Sequence, residues 1–382
     1  MKVLFVIDTL EVGGAEKSLL AIASGFTEVQ PVMCHLYAGD TLAADYHAAG
    51  IEVESLNLKG KYQFMAAISG LRKLIRRIQP DLVHSTLFRS DVAARCAAAL
   101  EHVPLVNSFV LDSYSPKRRN GMKLLQRLKH DSVRLIDRYS AGLVSQFTAN
   151  SHAIKSTNCQ YLGVAESRVE VIYRGRKISP CLPVPDEMQR AKKLSELDVD
   201  PSGTVIVAVA RLYEHKGHAE LLAAFKMACS VHKNVHLIIV GDGPERAAIS
   251  GLVAALGLQG VVSLLGARSD VIQILAAADL FVSASRNEGM PGAVIEAMLC
   301  ALPVVLSDIA VHKEMLDGET DVSLYPLGDV AGLALTIGRF LDAPQIRQLH
   351  GWQNYSRARA LFDIESISAQ TEALYQKVLE RF

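Results

Sequence analysis

The sequence lacks the features that mark several classes of protein. Lys plus Arg and Asp plus Glu both total 40, so the formal net charge is zero and a whole-chain nucleic-acid surface is not expected. No apolar run reaches the roughly 18 residues that a membrane-spanning helix needs. Half of the residues are hydrophobic, which excludes disordered and fibrous proteins and supplies enough apolar material for two domain cores.

Cysteine is scarce and its positions are scattered, with no CxxC pair. This pattern predicts reduced, buried thiols in a cytoplasmic protein, rather than a disulfide framework or a zinc site. The six positions are Cys34, Cys96, Cys159, Cys181, Cys229 and Cys300. The first ten residues, MKVLFVIDTL, predict a β-strand and not a signal peptide, because Asp8 interrupts the apolar run and no small-residue cleavage site follows.

Strand-like and helix-like segments alternate along the chain, which is typical of parallel sheets covered by helices on both faces. Segments with strand character lie at 3–7, 32–37, 82–85, 105–109, 142–147, 169–173, 204–210, 235–241, 261–266, 280–285 and 303–307. They are too many for one ordinary sheet. The series pauses where residues 179–185 contain three prolines. We therefore expect an α/β protein with two Rossmann-like, doubly wound domains, 1–178 and 199–360, joined by a linker at 179–198. The domains should face each other across a cleft, with ligands at the carboxyl ends of strands.

The charge is unevenly distributed. Residues 1–178 hold 23 basic and 16 acidic residues, whereas the remainder holds 17 and 24. Much of the excess lies at Lys117, Arg118, Arg119, Lys123, Arg127, Lys129, Arg134 and Arg138. Leucines run through this segment at roughly helical spacing. It is either a basic amphipathic helix that contacts an anionic membrane or acceptor, or an ordinary solvated surface helix.

Three stretches carry candidate chemistry. After the first strand, Gly13 and Gly14 open a helix, which suits a phosphate but also an ordinary turn. Glu288 precedes, and Glu296 lies on, a helix predicted to start near Pro291. The two glutamates are either the two ends of one ligand site or an end-of-helix acid and a surface glutamate.

Arg211 and Lys216 follow the strand at 204–210. An Arg fork and a Lys point charge at a strand's carboxyl end could neutralise a diphosphate, although a solvated loop pair is the simpler alternative.

Together these motifs resemble the retaining glycosyltransferases of family 4, which have the GT-B fold. GGAE, ARLxxxKG, VGDGPE, GxRxD and EG(x6)EAM(x4)PVV occur in this order over essentially the whole chain. The resemblance implies that residues 361–382 form a helix that crosses back to the first domain. It also implies a nucleotide-diphosphate sugar as donor and a hydroxyl acceptor, such as a lipid-linked or cell-surface glycan precursor.

The resemblance also implies roles for individual residues. Glu288 would lie at the donor sugar, Glu296 would hold the ribose hydroxyls, and Arg211 and Lys216 would bind the diphosphate. Further donor contacts would come from Gly14, from Arg268 near the base, and from the backbone around Met290, Gly292 and Ala293.

The sequence departs from the family pattern at the donor sugar. Family members often carry HxH where this chain has His84-Ser85-Thr86, so either His84 or Thr86 could serve the sugar. Arg174-Gly175 replaces a common Asn-Gly, and Met290-Pro291 replaces Phe-Gly.

The expected mechanism needs no cofactor and no metal, because two basic side chains neutralise the leaving group, whose own oxygen takes the acceptor proton. Asp198-Val199-Asp200 resembles a metal motif but should be a turn. The enzyme is expected in the cytoplasm, with a peripheral site at the inner face of the membrane. The alternatives are a nucleotide-sugar-binding pseudoenzyme or partner subunit, and a GT-B sugar-nucleotide epimerase.

Overall fold

The chain folds into two compact units. The computed structural model describes residues 1–60, 62–115, 119, 122–178, 186–316 and 320–382. Unit 1 comprises Met1–Lys177 and Phe362–Phe382, and unit 2 comprises Ile178–Leu361. Each unit is a parallel sheet with helices, so the predicted α/β class with two doubly wound sheets is confirmed.

Unit 1 contains seven parallel strands in the order β3-β2-β1-β4-β5-β6-β7. The strands are β1 (Lys2–Ile7), β2 (Gln30–Tyr37), β3 (Glu52–Leu58), β4 (Leu82–Thr86), β5 (Leu105–Phe109), β6 (Gln146–Ala149) and β7 (Val169–Val171). The helices are α1 (Gly14–Ser24), α2 (Ala43–Ala48), α3 (Phe64–Ile78), α4 (Phe88–Leu100), α5 (Leu124–Ser140), α6 (His152–Leu162) and, at the end of the chain, α16 (Ile364–Arg381).

Helix α16 is an integral part of unit 1. Its apolar residues Ile367, Leu374 and Tyr375 are buried in one cluster with Val3 and Phe5 of β1. The carboxylate of Glu372 accepts hydrogen bonds from the backbone amides of residues 27, 28 and 29 at 2.8, 2.7 and 3.0 Å. The apolar cluster attaches the last helix to β1, and the hydrogen bonds of Glu372 attach it to the segment just before β2.

Unit 2 contains six parallel strands in the order β10-β9-β8-β11-β12-β13. The strands are β8 (Thr204–Val209), β9 (Val235–Val240), β10 (Val262–Gly266), β11 (Leu280–Ser283), β12 (Val304–Ser307) and β13 (Leu324–Tyr325). The helices are α7 (Glu187–Glu196), α8 (His218–Val231), α9 (Arg246–Ala255), α10 (Val271–Ala276), α11 (Gly292–Leu299), α12 (Ala310–Leu316), α13 (Thr320–Ser323), α14 (Val330–Asp342) and α15 (Pro344–Phe362).

The structure differs from the predicted strands at three places, one of which is the two-residue strand β13, which the sequence pattern did not indicate. Residues 142–147 were expected to form one strand, but a 3-10 turn occupies Ala141–Leu143 and the strand begins only at Gln146. Strand β3 was missed because its residues, EVESLNL, are mostly half-buried at the sheet edge and do not form an apolar run. Of the segment 179–198, residues 179–185 lie outside the described residues and 187–196 form helix α7.

A buried polar network connects α4, α5 and β5 in unit 1. The guanidinium of Arg95, whose side chain is 1% exposed, donates to Asp137 Oδ1 at 2.6 Å and also to Asn107 Oδ1. The Tyr114 hydroxyl donates to Asp137 Oδ2 at 2.6 Å, and the Asn107 amide donates to Asp91 Oδ1 at 2.5 Å. Burial raises the pKa of Asp91 to about 8, so this carboxyl keeps its proton over most of the physiological pH range. The network fixes α5 to the sheet.

We predict that Arg95→Met strongly destabilises unit 1. The substitution leaves the Asp137 carboxylate buried without its cation, which costs about 3–5 kcal/mol for a pair of this kind. Urea unfolding followed by far-UV circular dichroism measures the loss. Arg77→Met is the matched control, since Arg77 pairs with Glu54 at 2.7 Å but its side chain is 61% exposed. Equal shifts of the urea midpoint in the two variants would contradict the assignment.

Candidate functional site

The strand order of unit 2 reverses direction between β8 and β11. In open parallel sheets, ligands bind at the carboxyl ends of the strands on either side of such a reversal. Arg211 and Lys216 follow β8, and Glu288 follows β11. The topology therefore brings three of the predicted site residues to one edge of the sheet.

Lys216 and Glu288 form a direct ion pair. Lys216 Nζ donates to Glu288 Oε1 at 2.5 Å, and the two side chains are only 15% and 13% exposed. Burial alone raises the pKa of Glu288. The charge and hydrogen bond of Lys216 outweigh it, with a further hydrogen bond from Ser285, so the pKa lies below its ordinary value. Glu288 is therefore a carboxylate at neutral pH.

Gly217 places Lys216 at this position. Its φ of +70° is a conformation that side-chain-bearing residues rarely adopt, and a Cβ would lie 2.1 Å from the carbonyl oxygen of Ala284. The loop after β8 can therefore approach the end of β11 only with glycine here. This close approach explains why the Lys-Gly pair occurs in the sequence motif.

Helix α11 begins four residues after Glu288. Pro291 is its N-terminal cap, and the amides of Gly292 and Ala293 lie in its first turn, where no preceding helical carbonyl can accept their hydrogen bonds. Met290 is 1% exposed and belongs to the core, so only its backbone is suited to ligand contact. Glu296 follows Gly292 by four residues, about 6 Å further along the helix axis. The N-terminus of α11, with the backbone amides of Gly292 and Ala293, is therefore close to Glu288 in sequence. The carboxylate of Glu296 lies about one helical turn further along.

Arg211 is exposed, and its guanidinium carbon lies 5.2 Å from the centre of the Tyr213 ring. Within the described ranges it has no carboxylate partner, so its charge is available to an anion.

The loop that carries Arg211 packs tightly against the VGDGPE motif. A Cβ at Gly241 would lie 1.9 Å from the Ala210 carbonyl oxygen, and one at Gly243 would lie 2.5 Å from that of Leu212. These glycines let the two loops pack together.

Arg268 lies apart from this group. It follows β10, at the edge of the sheet and two strands from β8. Its guanidinium makes two hydrogen bonds of 2.8 Å to the Asp270 carboxylate, and this Arg268 contact holds the pKa of Asp270 well below its ordinary value. The predicted contact of Arg268 with the base stays a prediction.

His312 was missed by the sequence analysis. It is fully buried, and its Nδ1 donates to the carbonyl oxygen of Ser307 at 2.8 Å. Burial lowers its pKa, although the charge of Glu288 acts in the opposite direction. Its Nε2 has no partner in the described part of the chain. No motif marks this neutral histidine, because only the fold brings α12 to the ion pair.

In unit 1, the glycine turn after β1 lies against Arg174. A Cβ at Gly14 would be 3.1 Å from Nη1 of Arg174, so glycine permits the guanidinium to lie close to the start of α1. Arg174 occupies the place of the family's asparagine, and the sequence analysis gave it no role. The predicted contact of Gly14 with a phosphate stays a prediction.

His84 and Thr86 lie at the end of β4 and differ in their contacts. His84 Nδ1 is hydrogen-bonded to the Tyr375 hydroxyl, and its Nε2 lies 2.6 Å from Ser108 Oγ. Burial lowers the pKa of His84 to about 3, so the ring is neutral. The hydroxyl of Thr86 is buried and has no partner among the described residues. The sequence left open whether His84 or Thr86 serves the donor sugar. The geometry favours Thr86, because its hydroxyl is unpaired among the described residues whereas both ring nitrogens of His84 have partners.

Helix α5 has an exposed apolar stripe next to basic residues. Lys117 and Arg118 of the predicted basic patch lie outside the described residues. Arg119 pairs with Asp131 at 2.7 Å, whereas Lys123 and Arg127 are exposed at the start of α5. The exposed apolar residues are Leu124, Leu125, Leu128, Leu135, Ile136 and Tyr139. Among the described helices, none is both long enough and apolar enough to cross a membrane.

The Asp198–Asp200 segment is a turn before β8. Asp198 has a φ of +56°, and the carboxylate of Asp200 accepts a 2.9 Å hydrogen bond from the amide of Ser202. The described ranges hold no group of three His, Cys, Asp or Glu side chains placed to bind a metal.

Comparison with known proteins identifies the family. A family model for glycosyl transferases group 1 matches residues 203–343, and one for Glycosyltransferase Family 4 matches residues 12–179. The chain belongs to the family 4 glycosyltransferases. This glycosyltransferase also matches the Anabaena protein HepE, solved in complex with UDP-glucose, with a TM-score of 0.84, 24% identity and coverage of 100% of both chains. Its fold is GT-B.

Two curated relatives show the range of named activities. The glycosyltransferase is 26% identical over 324 residues to a 2-deoxystreptamine glucosyltransferase of Streptomyces kanamyceticus. The matched region covers 82% of each chain. It is 23% identical to an N,N'-diacetylbacillosaminyl-diphospho-undecaprenol alpha-1,3-N-acetylgalactosaminyltransferase of Campylobacter jejuni, which covers 81% of this chain and 80% of the relative.

We predict that Lys216→Met moves the pKa of Glu288 above the ordinary value of 4.5, because burial then acts without the neighbouring cation. Carbon-13 NMR of labelled glutamate carboxyls, assigned with Glu288→Gln, measures the shift. Arg211→Met is the control, since the Arg211 side chain is exposed and stacks on Tyr213. A Glu288 pKa that stays low in Lys216→Met would disprove the electrostatic coupling.

Proposed function

We propose that this glycosyltransferase moves a sugar from a nucleoside-diphosphate sugar to a hydroxyl acceptor with retention of the anomeric configuration. The observation that carries the proposal is the half-enclosed Lys216–Glu288 pair beside the start of α11. It combines a cation, a carboxylate and the amides of a first helical turn at strand ends of the kind where ligands bind in open parallel sheets. HepE, with the same fold, was solved with UDP-glucose.

The diphosphate of the donor would bind to the positive groups. The Arg211 fork can make two parallel hydrogen bonds to phosphate oxygens, and Lys216 adds a compact charge. The amides of Gly292 and Ala293, together with the positive end of the helix dipole, favour an anion at the same place. These groups would attract a diphosphate without a metal ion.

Glu288 would bind the sugar and Glu296 the ribose. Because Lys216 keeps Glu288 ionised, its carboxylate can accept hydrogen bonds from sugar hydroxyls but cannot donate a proton. Glu296 lies further along α11, so the distance between the two acids corresponds to different parts of one extended donor.

In the proposed reaction, the bond between the anomeric carbon and the phosphate oxygen breaks, and the acceptor oxygen bonds to the same face. The acceptor proton passes to the departing phosphate oxygen. Arg211, Lys216 and the α11 amides stabilise the negative charge that develops on the diphosphate. No protein base is needed, which is consistent with an ion-paired Glu288, whose lowered pKa makes it a weak base.

The acceptor is proposed to be a glycan precursor held at the inner face of a membrane. The Campylobacter jejuni relative is named for an undecaprenol-linked substrate. Helix α5 has the composition of a helix that lies in a membrane interface, with exposed leucines beside Lys123 and Arg127. Its basic residues favour anionic lipids.

We expect Lys216→Ala and Glu288→Gln to lower transfer at least a thousandfold, because each removes a group that contacts the donor. Transfer is measured as nucleoside diphosphate released in the presence of acceptor, after a thermal-shift panel of UDP- and GDP-sugars has identified the donor. Lys226→Ala, an exposed lysine on α8 in the same unit, should behave as wild type.

Product configuration and metal dependence complete this test. Proton NMR of the product should show the anomeric configuration of the donor, and saturating EDTA should leave the rate unchanged. An inverted product, or wild-type rates in either purified variant, would refute the proposed function.

We expect the double substitution Leu124→Ser and Leu125→Ser to reduce binding to phosphatidylglycerol-containing vesicles at least tenfold, because these two side chains are 75% and 79% exposed and would enter the interface. Cosedimentation measures binding. Leu335→Ser is the control, since this leucine of α14 is 68% exposed and belongs to unit 2. Unchanged cosedimentation of the double variant would exclude α5 as the membrane surface.

A further inference from the structure

A fully buried histidine lies near the Lys216–Glu288 pair in unit 2. His312, on helix α12, is 0% exposed, and the charges of both Glu288 and Lys216 act on its ring. The donor contacts and the proton transfer of the proposed reaction do not use it. Because burying a polar ring is costly unless its groups are hydrogen-bonded, the contacts of His312 indicate its role.

The hydrogen bonds of His312 determine which ring nitrogen carries a hydrogen. Nδ1 lies 2.8 Å from the carbonyl oxygen of Ser307, and a carbonyl oxygen can only accept, so Nδ1 donates. Burial lowers the pKa of the ring, which is therefore neutral at neutral pH and has a lone pair at Nε2. Nδ1 is thus the single donor of the ring.

A chain of hydrogen bonds leads from Nδ1 to the Glu288 carboxylate. Ser307 Oγ lies 3.2 Å from His312 Nδ1 and donates to the carbonyl oxygen of Ser285 at 2.5 Å. The Ser285 side chain is in turn hydrogen-bonded to Glu288. Ser285 and Ser307 are 1% and 0% exposed, so bulk water does not compete for these hydrogen bonds.

The chain holds the Glu288 loop where the sheet no longer does. The parallel pairing of β11 with β12 ends at Ser283 and Leu306. Beyond that point the Ser307 hydroxyl holds the backbone of the loop at Ser285. Because Nδ1 of His312 is itself a donor, the one hydrogen of this hydroxyl is directed to Ser285.

We propose that His312 is a positioning residue for sugar transfer, which acts through Ser307 and Ser285 to hold the Glu288 carboxylate in the orientation that the donor sugar requires. The inference rests on the proposed function, because Glu288 is the group assigned there to the sugar. The diphosphate is assigned to other groups, so loss of His312 should affect turnover more than donor affinity.

Steady-state kinetics of the purified full chain, with the donor found by thermal shift, tests the proposal. His312→Leu should lower kcat at least tenfold and change the KM for the nucleotide sugar less than threefold. Ser307→Ala, which removes only one hydroxyl of the chain, should lower kcat at least threefold. His236→Leu is the matched control and should change kcat less than twofold. His236 is a half-buried histidine at the amino end of β9, hydrogen-bonded to Ser263 Oγ at 2.9 Å.

Two polar variants separate positioning from a merely structural role. The side-chain nitrogen of Asn is bonded to Cγ, as Nδ1 is, so His312→Asn keeps a donor for Ser307 and should stay within threefold of the wild-type kcat. The nitrogen of Gln lies one bond further out, so His312→Gln should lose activity as His312→Leu does. The pKa of Glu288, measured by carbon-13 NMR, should rise in His312→Leu and not in His312→Asn, because a loosened Ser285 hydrogen bond stabilises the carboxylate less.

Wild-type kcat in His312→Leu or Ser307→Ala, or equal activity of His312→Asn and His312→Gln, would overturn the proposal. Should His312→Leu fail to fold, the Asn and Gln variants and Ser307→Ala decide it. Glu288→Gln separates this inference from the proposed function. Wild-type transfer by Glu288→Gln counts against the function, whereas an inactive Glu288→Gln beside a fully active His312→Leu counts only against the role of His312.

Discussion

The candidate site depends on one ion pair inside unit 2. Lys216 and Glu288 come from loops 72 residues apart, and they meet at 2.5 Å because β8 and β11 are neighbours in the sheet. Taking two charges out of water is costly, and the close contact offsets this cost only while both partners remain. The proposed donor site is built on this pair together with the first turn of α11.

The surrounding glycines follow from the same constraint. Gly217 lets the Lys216 loop approach Ala284, and Gly241 and Gly243 let the loop after β9 pack against residues 210–212. In each case a Cβ would collide with a backbone carbonyl oxygen and not with a flexible side chain. The glycines in these motifs are therefore explained by close packing of one backbone segment against another. The glycines of these sequence motifs therefore permit the close packing that brings Arg211 and Lys216 to the strand ends.

The sequence was sufficient for the fold class and for most strands, because buried parallel strands are short apolar runs. It missed β3, whose polar residues lie at a sheet edge, and it displaced the strand that begins at Gln146. The motifs and the family resemblance indicated Lys216 and Glu288 as separate site residues, but not that they form an ion pair. The sequence could not indicate the surroundings of His312, of Arg174 or of the unpaired Thr86 hydroxyl, because these arise only when distant elements pack together.

The most direct test of this account is a crystal structure of the protein with its intact nucleotide-sugar donor. The account predicts a diphosphate oxygen within hydrogen-bond distance of Lys216 Nζ and of the amides at the start of α11, with a sugar hydroxyl on Glu288. A donor bound elsewhere, with the Lys216–Glu288 pair unchanged and the α11 amides without contact to phosphate, would contradict it.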